Sequence, residues 1–507
     1  MKIVKILFRI IFHPLTLVVI SLLFQIFLVG FFLYFFRQYF LFLFFLSYLL
    51  SLLFSLYILN QNQNPSYKIS WLCLLFFLPI FGVIFYFLTH IPFIKKKISS
   101  EIAKGHHDIL RYLDSSLDFT ATSDHTFFHY MSKFGYFPCY QKTKAEYFSD
   151  GITFFNDLML EIRQAKKYIF LEFFIIEDGV MWNTLLTVLK QKVKEGIEIR
   201  ILYDGIGSIA CYADQFSKKM TEYGILCKVF FPIKPIFSLY QNHRDHRKIC
   251  IIDGKIAYTG GINIGDDYIN RKQRFGYWKD CGIKLIGPAV DRFTLLFFEM
   301  WNLGVADHSS YEDYLFGDIV RQADCTGTIV PFGDSPYHPE EIAKNVYLHI
   351  LNSATQFVHI ITPYLVLDHE LLNTLIFTAK RGVKIQIIMP HIPDKKMVNC
   401  LGKSYYKELM ENSIEIYEYL PGFCHAKVFS SDFERAVVGT INLDYRSLYL
   451  HFECGVYLYR DSVIQNVEHD FQSTLKECRK IRVSDIKYYP FYKKILGRVL
   501  RLFSPLL

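Results

Sequence analysis

A chain of 507 residues is too long for one ordinary hydrophobic core, so several folded units are expected. Hydrophobic residues make up 52% and charged residues 21%, which indicates an apolar anchor joined to a soluble body. The net charge of +8 suits an anionic membrane surface and a phosphate-bearing substrate equally well. The 11 cysteines are scattered singly, so they indicate neither a disulfide framework nor a zinc site and favour a reducing compartment.

Three apolar runs near the amino terminus are candidate membrane spans. Residues 12–36, 40–59 and 71–89 are each long enough, as a helix, to cross a hydrocarbon core of about 30 Å. A cleaved signal peptide is the weaker reading of the first run, because that run is too long and leads directly into more apolar sequence. We therefore predict a membrane domain over residues 1–98 with two or three transmembrane helices, followed by a linker over residues 99–144. Basic residues flank both sides and leave the orientation open.

An internal repeat organises the rest of the chain. Residues 154–203 contain, in this order, an amphipathic stretch, a strand-like run, a helix that ends in a basic turn and Gly, and a second strand. The same order recurs at 345–389. Apolar runs that alternate with helices favour an α/β architecture. The predicted fold is two similar α/β lobes, at 145–320 and 321–482, with a basic amphipathic segment at 483–507.

Each half of the repeat contains one polar motif. The first comprises His246-Arg247-Lys248, Asp253 and Gly260-Gly261-Ile262-Asn263, and the second comprises His425-Ala426-Lys427, Asp432 and Gly439-Thr440-Ile441-Asn442. The shared residues recur at one constant offset, which chance very rarely produces. A lysine two positions from each histidine would oppose a bound cation, so no metal site is predicted.

The residue types in these motifs suit the chemistry of a phosphodiester. Lysine charges and asparagine amides neutralise the phosphate oxygens, here through Lys248, Lys427, Asn263 and Asn442. One imidazole can attack phosphorus to form a phosphohistidine, and the other can protonate the departing alcohol and later deprotonate the incoming hydroxyl. Because the two motifs are alike, the residues alone leave open which of His246 and His425 is the nucleophile.

The pattern H-x-K-x(4)-D-x(6)-G-[GST]-x-N, present twice, resembles the signature of the phospholipase D superfamily over about residues 145–480. The resemblance implies that the two lobes together form one active site. It also implies that His246 is the nucleophile and His425 the general acid and base. Gly261 stands where many members of the superfamily have Ser, which puts a hydroxyl contribution from the first half in doubt.

Four carboxylates accompany the histidines. Asp253 and Asp432 complete the motifs and belong to the predicted catalytic set, although the turns that follow them favour a structural role. Asp280 and Glu453 each follow a motif on a strand-like run and are expected to orient the imidazoles. Gly260 and Gly439 are expected to let the backbone approach the phosphate.

Several further stretches resemble bacterial cardiolipin synthases. They are Asn64-Pro65-Ser66-Tyr67-Lys68, Tyr203-Asp204-Gly205-Ile206-Gly207-Ser208, the residues around each motif, and Thr362-Pro363-Tyr364. One departure is His451, where Asn is the commoner residue in that family. The implied reaction joins two phosphatidylglycerol molecules into cardiolipin and glycerol without a cofactor. A phospholipase D-type hydrolase is the alternative, because only the acceptor differs.

The same resemblance implies a location and partners. We expect a multi-pass protein of a bacterial cell membrane, with its catalytic body on the cytoplasmic side and with phosphatidylglycerol and other anionic lipids as partners. Nucleic acid is disfavoured, because the basic groups are spread out and an apolar anchor precedes the body. The carboxy-terminal segment 483–507 fits an interfacial helix and a helix packed on the lobes equally well. The oligomeric state is left open.

Overall fold

The computed structural model describes most of the chain after residue 37. The described residues are 38–62, 64–89, 99–102, 122–208, 213–232, 242–304, 310–315 and 327–506, with isolated positions between 23 and 34 and at 112 and 325. The chain forms two compact units. One unit comprises Met1–Lys95, Ile236–Tyr240 and Arg498–Leu507, and the other comprises Lys96–Pro235 and Gln241–Gly497.

The described part of the first unit is helical. Its helices are α1 (Phe40–Leu59), α2 (Pro65–Phe77) and α3 (Pro79–Thr89). Within the described residues, one helix is long and apolar enough to cross a membrane, over Leu41–Leu59 with a mean hydropathy of 2.3. Ile58, Trp71, Leu75 and Tyr86 form a small buried core between the three helices.

The third candidate span, residues 71–89, is not one continuous helix in the structure. The helix ends at Phe77 and a new one starts at Pro79, because proline lacks an amide hydrogen and disfavours the helical conformation of the residue before it. Helices of 13 and 11 residues extend about 20 and 17 Å, less than the hydrocarbon thickness of about 30 Å. The first predicted run, residues 12–36, lies outside the described residues apart from isolated positions.

In the second unit, residues 99–102 are helical, and α4 (His125–Lys133) precedes the first lobe. The first half of this lobe contains β1 (Lys144–Phe148), α5 (Gly151–Gln164), β2 (Tyr168–Phe173), α6 (Val180–Lys194), β3 (Glu198–Asp204), α7 (Ala213–Glu222) and β4 (Leu226–Phe230). The second half contains β5 (Lys248–Ile252), β6 (Ile256–Gly260), β7 (Tyr277–Lys279), β8 (Gly282–Ile286) and α8 (Val290–Trp301). The sheet has the order β1-β8-β6-β5-β2-β3-β4, in which only β2, β3 and β4 are parallel.

The second lobe repeats this arrangement. It begins with β9 (Thr328–Asp334), α9 (Ile342–Ser353), β10 (Phe357–Ile361), α10 (His369–Lys380), β11 (Lys384–Pro390), α11 (Lys396–Lys403), α12 (Tyr406–Glu411) and β12 (Glu415–Tyr419). It continues with β13 (Gly422–Cys424), β14 (Val428–Ser431), β15 (Arg435–Gly439), α13 (Tyr445–Tyr449), β16 (Glu453–Tyr459), α14 (Ile464–Lys476) and β17 (Cys478–Lys480). The strands lie in the order β17-β12-β11-β10-β14-β15-β16-β9, so β16-β15-β14-β10-β11-β12 matches β8-β6-β5-β2-β3-β4 of the first lobe.

The predicted α/β fold with two similar lobes is confirmed, and the predicted order of elements occurs in both copies, as α5-β2-α6-β3 and as α9-β10-α10-β11. Helix α8 is buried almost throughout and contacts β5 and β6 of one sheet and β9 of the other, so it packs between the two sheets. The segment that follows the second lobe contains α15 (Val483–Lys487) and α16 (Phe491–Leu502).

Short backbone pairings join the lobes. Strand β7 of the first lobe pairs in parallel with β13 of the second, with Lys279 opposite Cys424. A single parallel bridge joins Asp245 to Phe452. Cys424 and Asp245 each precede a motif histidine in the chain. Their partners, Lys279 and Phe452, each precede a predicted orienting carboxylate. The register of these two pairings therefore sets the geometry of the site.

Candidate active site

The first motif histidine is oriented by a carboxylate of the opposite lobe. His246 lies just before β5, and its backbone amide donates to the Phe452 carbonyl oxygen at 2.9 Å. This bond places the ring beside the next residue, Glu453, whose two carboxylate oxygens lie 2.9 and 3.0 Å from His246 Nδ1. A carboxylate without a proton only accepts, so Nδ1 carries the hydrogen and Nε2 keeps its lone pair.

The second motif histidine mirrors the first. The backbone amide of His425 donates to the Lys279 carbonyl oxygen at 2.7 Å, and His425 Nδ1 lies 2.7 Å from Asp280 Oδ2. Each imidazole is therefore paired with the carboxylate that follows the other motif. The sequence led us to expect Asp280 and Glu453 behind the histidines, and the exchange between the lobes is what the structure adds.

The other motif residues surround the two histidines. Lys248 Nζ donates to the carbonyl oxygen of His246 at 2.5 Å, and Lys427 donates in the same way to the carbonyl oxygen of His425. Asn263 and Asn442 are 1% and 4% exposed. Each side-chain amide donates one hydrogen bond to a hydroxyl five residues further on, Tyr268 for Asn263 and Ser447 for Asn442.

Burial and positive charge set the protonation of the site. Burial, followed by the charges of Lys248 and Lys427, holds the pKa of His246 well below its usual range. Burial and Lys427 also lower the pKa of His425 to about 4, although Asp280 acts in the opposite direction. Both imidazoles are therefore neutral at pH 7 in the free site. Because Lys427 acts on His246 and Lys248 acts on His425, the two motifs share one electrostatic environment.

The lysines respond to the same burial. Desolvation lowers the pKa of Lys248 to about 7, against the opposing effect of Glu453, and Lys427 adds to the decrease. Desolvation also lowers the pKa of Lys427, although Asp280 opposes it. For Asp280, burial raises the pKa, but His425 and Lys427 together leave it below its ordinary value. Cationic and neutral hydrogen-bond donors thus outnumber the buried carboxylates in the site. This arrangement suits the binding of a phosphate anion.

The structure does not bring Asp253 and Asp432 to the histidines. Each lies at the far end of a motif strand, and five residues of strand separate Lys248 from Asp253 by about 16 Å. Asp253 accepts hydrogen bonds from the backbone amides of residues 166–168 at 2.7 to 3.0 Å. Asp432 does the same for residues 355–357 at 2.6 to 2.9 Å. Both side chains fix the loop that enters the neighbouring central strand, so we assign them a structural role.

The expectation for Gly260 and Gly439 is also corrected. A Cβ atom at Gly260 would collide with the backbone at Cys281 and Gly282, and one at Gly439 with that at Cys454 and Gly455. These glycines therefore allow the neighbouring strand, and not a phosphate, to approach closely.

The next positions differ between the halves. A Cβ atom at Gly261 would overlap the Asp280 carboxylate, whereas the hydroxyl of Thr440 donates a short hydrogen bond to Glu453. The indole Nε1 of Trp278 donates to Asp280 Oδ2 at 3.3 Å, and the backbone amide of Cys281 donates to Asp280 Oδ1 at 2.9 Å.

Sequence reasoning missed Trp278, Tyr268 and Ser447 as supporting residues. A signal for two of them was available, because Tyr268 and Ser447 stand five positions after the motif asparagine in both copies. The indole of Trp278 carried no such signal, since it acts on a carboxylate two positions along the same chain segment.

Comparison with known proteins agrees with this geometry. Residues 158–274 and 347–475 match the family described as cardiolipin synthase, PLD-like domain, and residues 49–89 match the phospholipase D-nuclease N-terminal family. A cardiolipin synthase of Halalkalibacterium halodurans is 31% identical over 89% of this chain and 91% of its own length. The chain belongs to the cardiolipin synthase family of the phospholipase D superfamily.

Other similar proteins extend the comparison. An uncharacterized protein of Streptococcus mutans is 42% identical over 89% of this chain and 99% of its own length. Cardiolipin synthase 2 of Bacillus anthracis is 31% identical over 89% of this chain and 88% of its own length. Among solved structures, phosphatidylserine synthase of Haemophilus influenzae superposes with a TM-score of 0.57 at 15% identity, covering 72% of this chain and 95% of that one, which supports the fold.

Proposed function

We propose that this protein is a cardiolipin synthase that transfers a phosphatidyl group from one phosphatidylglycerol to the hydroxyl of a second. The observation that carries the proposal is the exchange of histidine and carboxylate partners between the lobes, at 2.9 Å for His246 and Glu453 and 2.7 Å for His425 and Asp280. Two oriented imidazoles, with the buried lysines Lys248 and Lys427 beside them, are what a double displacement at phosphorus requires.

In the first step, His246 Nε2 attacks the phosphorus of the donor lipid. The bond between phosphorus and the glycerol headgroup oxygen breaks, and that oxygen takes a proton from His425. The products are a phosphatidyl-histidine and free glycerol. Glu453 stabilises the positive charge that develops on the His246 ring, because its carboxylate accepts the Nδ1 hydrogen.

In the second step, the hydroxyl of the acceptor lipid gives its proton to the now neutral His425, and its oxygen attacks phosphorus. The bond between phosphorus and nitrogen breaks, which releases cardiolipin and restores His246. Asp280 stabilises the His425 imidazolium before the first proton transfer and after the second.

A bound phosphate completes the electrostatics of the site. Its negative charge favours protonated His425 and charged Lys248, which burial disfavours in the free site. Each motif asparagine uses one amide hydrogen on its neighbour and has a second for a phosphate oxygen. Because these donors are already ordered, they stabilise charge as it develops on the phosphate oxygens in the transition state.

The proposal includes a location. We place the protein in a bacterial cell membrane through several amino-terminal spans, of which α1 is one, with the catalytic body on the cytoplasmic side. The apolar surface of α1 supports the anchor. The six buried cysteines of the described part of the body are free thiols, which agrees with a reducing compartment for the body: Cys139, Cys250, Cys281, Cys400, Cys424 and Cys454. Phosphatidylglycerol and other anionic lipids are then its partners.

A lipid assay tests the proposal. The full-length protein is reconstituted in detergent with phosphatidylglycerol, and the lipid products and glycerol are quantified. We expect cardiolipin and glycerol in equal amounts from the wild type and neither product from His246→Ala. Phosphatidic acid without cardiolipin would instead assign the protein as a phospholipase D-type hydrolase with water as the acceptor.

A further inference from the structure

A third histidine lies behind the first half of the site. His451 precedes Phe452 and Glu453, and its side chain is 10% exposed. Neither of its ring nitrogens has a hydrogen-bond partner among the described residues, and Nδ1 lies 3.6 Å from Glu453 Oε1, beyond hydrogen-bond range. A buried imidazole without partners is costly, so it points to a ligand that the protein side chains do not supply.

The atoms around His451 form a metal-ligand set. One nitrogen of His246, one nitrogen of His451 and one oxygen of Glu453 all lie within 4.8 Å of one another. Zinc binds nitrogen and oxygen at about 2.0–2.2 Å, so tetrahedral ligand atoms are about 3.4 Å apart. The separations from Glu453 Oε1, 2.9 Å to His246 Nδ1 and 3.6 Å to His451 Nδ1, bracket that value. Two histidines and one glutamate, with a fourth position for water, are an established zinc set.

Nearby charges determine how such an ion is held. Lys248 and Lys427 act on His246, and Arg446 acts on His451, so the surroundings oppose a cation. Glu453 supplies the compensating negative charge. These charges argue against a permanently held cofactor and in favour of an ion that binds reversibly.

We propose that His246, His451 and Glu453 form an inhibitory site for Zn²⁺ at the nucleophile of the enzyme. A metal ion on one nitrogen of His246 leaves the proton on the other, so the ring has no lone pair with which to attack phosphorus. The ion also takes the Glu453 oxygen that orients the ring. The inhibition rests on the proposed function, whereas the binding of the metal does not.

The binding is tested without any turnover. Metal-free full-length protein in detergent is titrated with Co²⁺, whose visible absorption reports tetrahedral coordination, and then with Zn²⁺ by calorimetry. We expect one site per chain in the wild type and at least tenfold weaker binding in His451→Asn. The matched control is His129→Asn, an exposed histidine of α4 that lies outside the cluster. His451→Gln provides a second variant in case the first does not fold, as judged by thermal unfolding.

The inhibition is tested in the same preparations. Zinc should inhibit cardiolipin formation by the wild type, and His451→Asn should need at least tenfold more zinc for half-inhibition relative to its own metal-free rate. Absence of metal binding in the wild type, or equal binding by wild type and His451→Asn, would overturn the site. Metal binding that depends on His451 in a protein that makes no cardiolipin would support the site and refute the proposed function.

Discussion

The two halves of the active site contain the same reacting groups but hold their carboxylates differently. In the half that orients His425, Asp280 is fixed by the indole of Trp278 and a backbone amide, and Gly261 leaves the room that its oxygen occupies. In the half that orients His246, the carboxylate belongs to the longer side chain of Glu453. It accepts a hydrogen bond from the hydroxyl of Thr440 instead. Both copies of the motif therefore contain the imidazole and the lysine. The groups that hold the orienting carboxylate differ between the two halves, because the carboxylate itself differs.

The largest expected effect comes from removing either imidazole. His246→Ala and His425→Ala should each lower cardiolipin formation by about 10³-fold or more, because the nucleophile and the acid-base group are both required. Rates are measured from labelled phosphatidylglycerol, with His129→Ala as the control. If either variant kept more than a tenth of the wild-type rate, the two imidazoles would not both take part in the reaction.

The orienting carboxylates should come next. Asp280→Asn and Glu453→Gln keep the shape of each side chain but remove the charge that stabilises the imidazolium, so each should reduce kcat by about 100-fold or more. The two reductions are compared under identical conditions. A variant with wild-type kcat would show that its half works without a charged partner.

The position that differs most between the halves offers a direct comparison. Gly261→Ala introduces a Cβ where the Asp280 carboxylate lies, so we expect about a 100-fold loss of kcat through displacement of His425. Thr440→Ala removes one hydrogen bond to a carboxylate and should cost about tenfold. Steady-state kinetics and thermal unfolding are measured together. A larger loss from Thr440→Ala than from Gly261→Ala would reverse this account of how the halves differ.

The pH dependence tests the lysine of the first half. Burial lowers the pKa of Lys248 to about 7, and a lysine is charged below its pKa and neutral above it. We therefore expect an additional decrease in kcat/KM above about pH 7, by up to about tenfold per pH unit beyond the loss that follows from deprotonation of the general acid His425. Lys248→Arg, which stays charged, should move the decrease to higher pH. A wild-type profile that is flat from pH 7 to 9 would contradict the assignment.

The smallest effect on catalysis is expected at the motif aspartates. Asp253→Ala and Asp432→Ala each leave backbone amides without an acceptor, which should lower the free energy of unfolding by about 1–3 kcal/mol. Activity well below the unfolding temperature should change by less than about twofold. Asp313→Ala, at an exposed position, is the control for stability. A loss of kcat without a loss of stability would return these residues to the catalytic set.

Much of this architecture could be predicted from the sequence. The alternation of strand-like runs with helices identified the two repeats at 154–203 and 345–389, and the constant offset between the motifs identified the histidines, lysines and asparagines. These features are local, because helix and strand periods and motif spacing are properties of a few neighbouring residues.

The exchange of partners was not predictable from the sequence. It depends on the parallel register of Lys279 with Cys424 and on the bridge between Asp245 and Phe452, which join segments far apart in the chain. Pro79 itself was a local signal for the helix break that precedes it. The high hydropathy of the residues on both sides nevertheless favoured one continuous helix. The overlap between a Cβ atom at Gly261 and the Asp280 carboxylate likewise follows only from the assembled strands.

The assignment of His246 as nucleophile is tested most directly by trapping the covalent intermediate. The substrate is a phosphatidyl ester of p-nitrophenol, whose leaving group needs no protonation. His425→Ala is mixed with it, and the protein is digested and analysed by mass spectrometry. We predict a burst of nitrophenolate and a phosphatidyl adduct on His246, because release of the intermediate still requires His425, and no adduct in His246→Ala. An adduct on His425 in His246→Ala, with none on His246 in His425→Ala, would contradict the account and exchange the roles of the two halves.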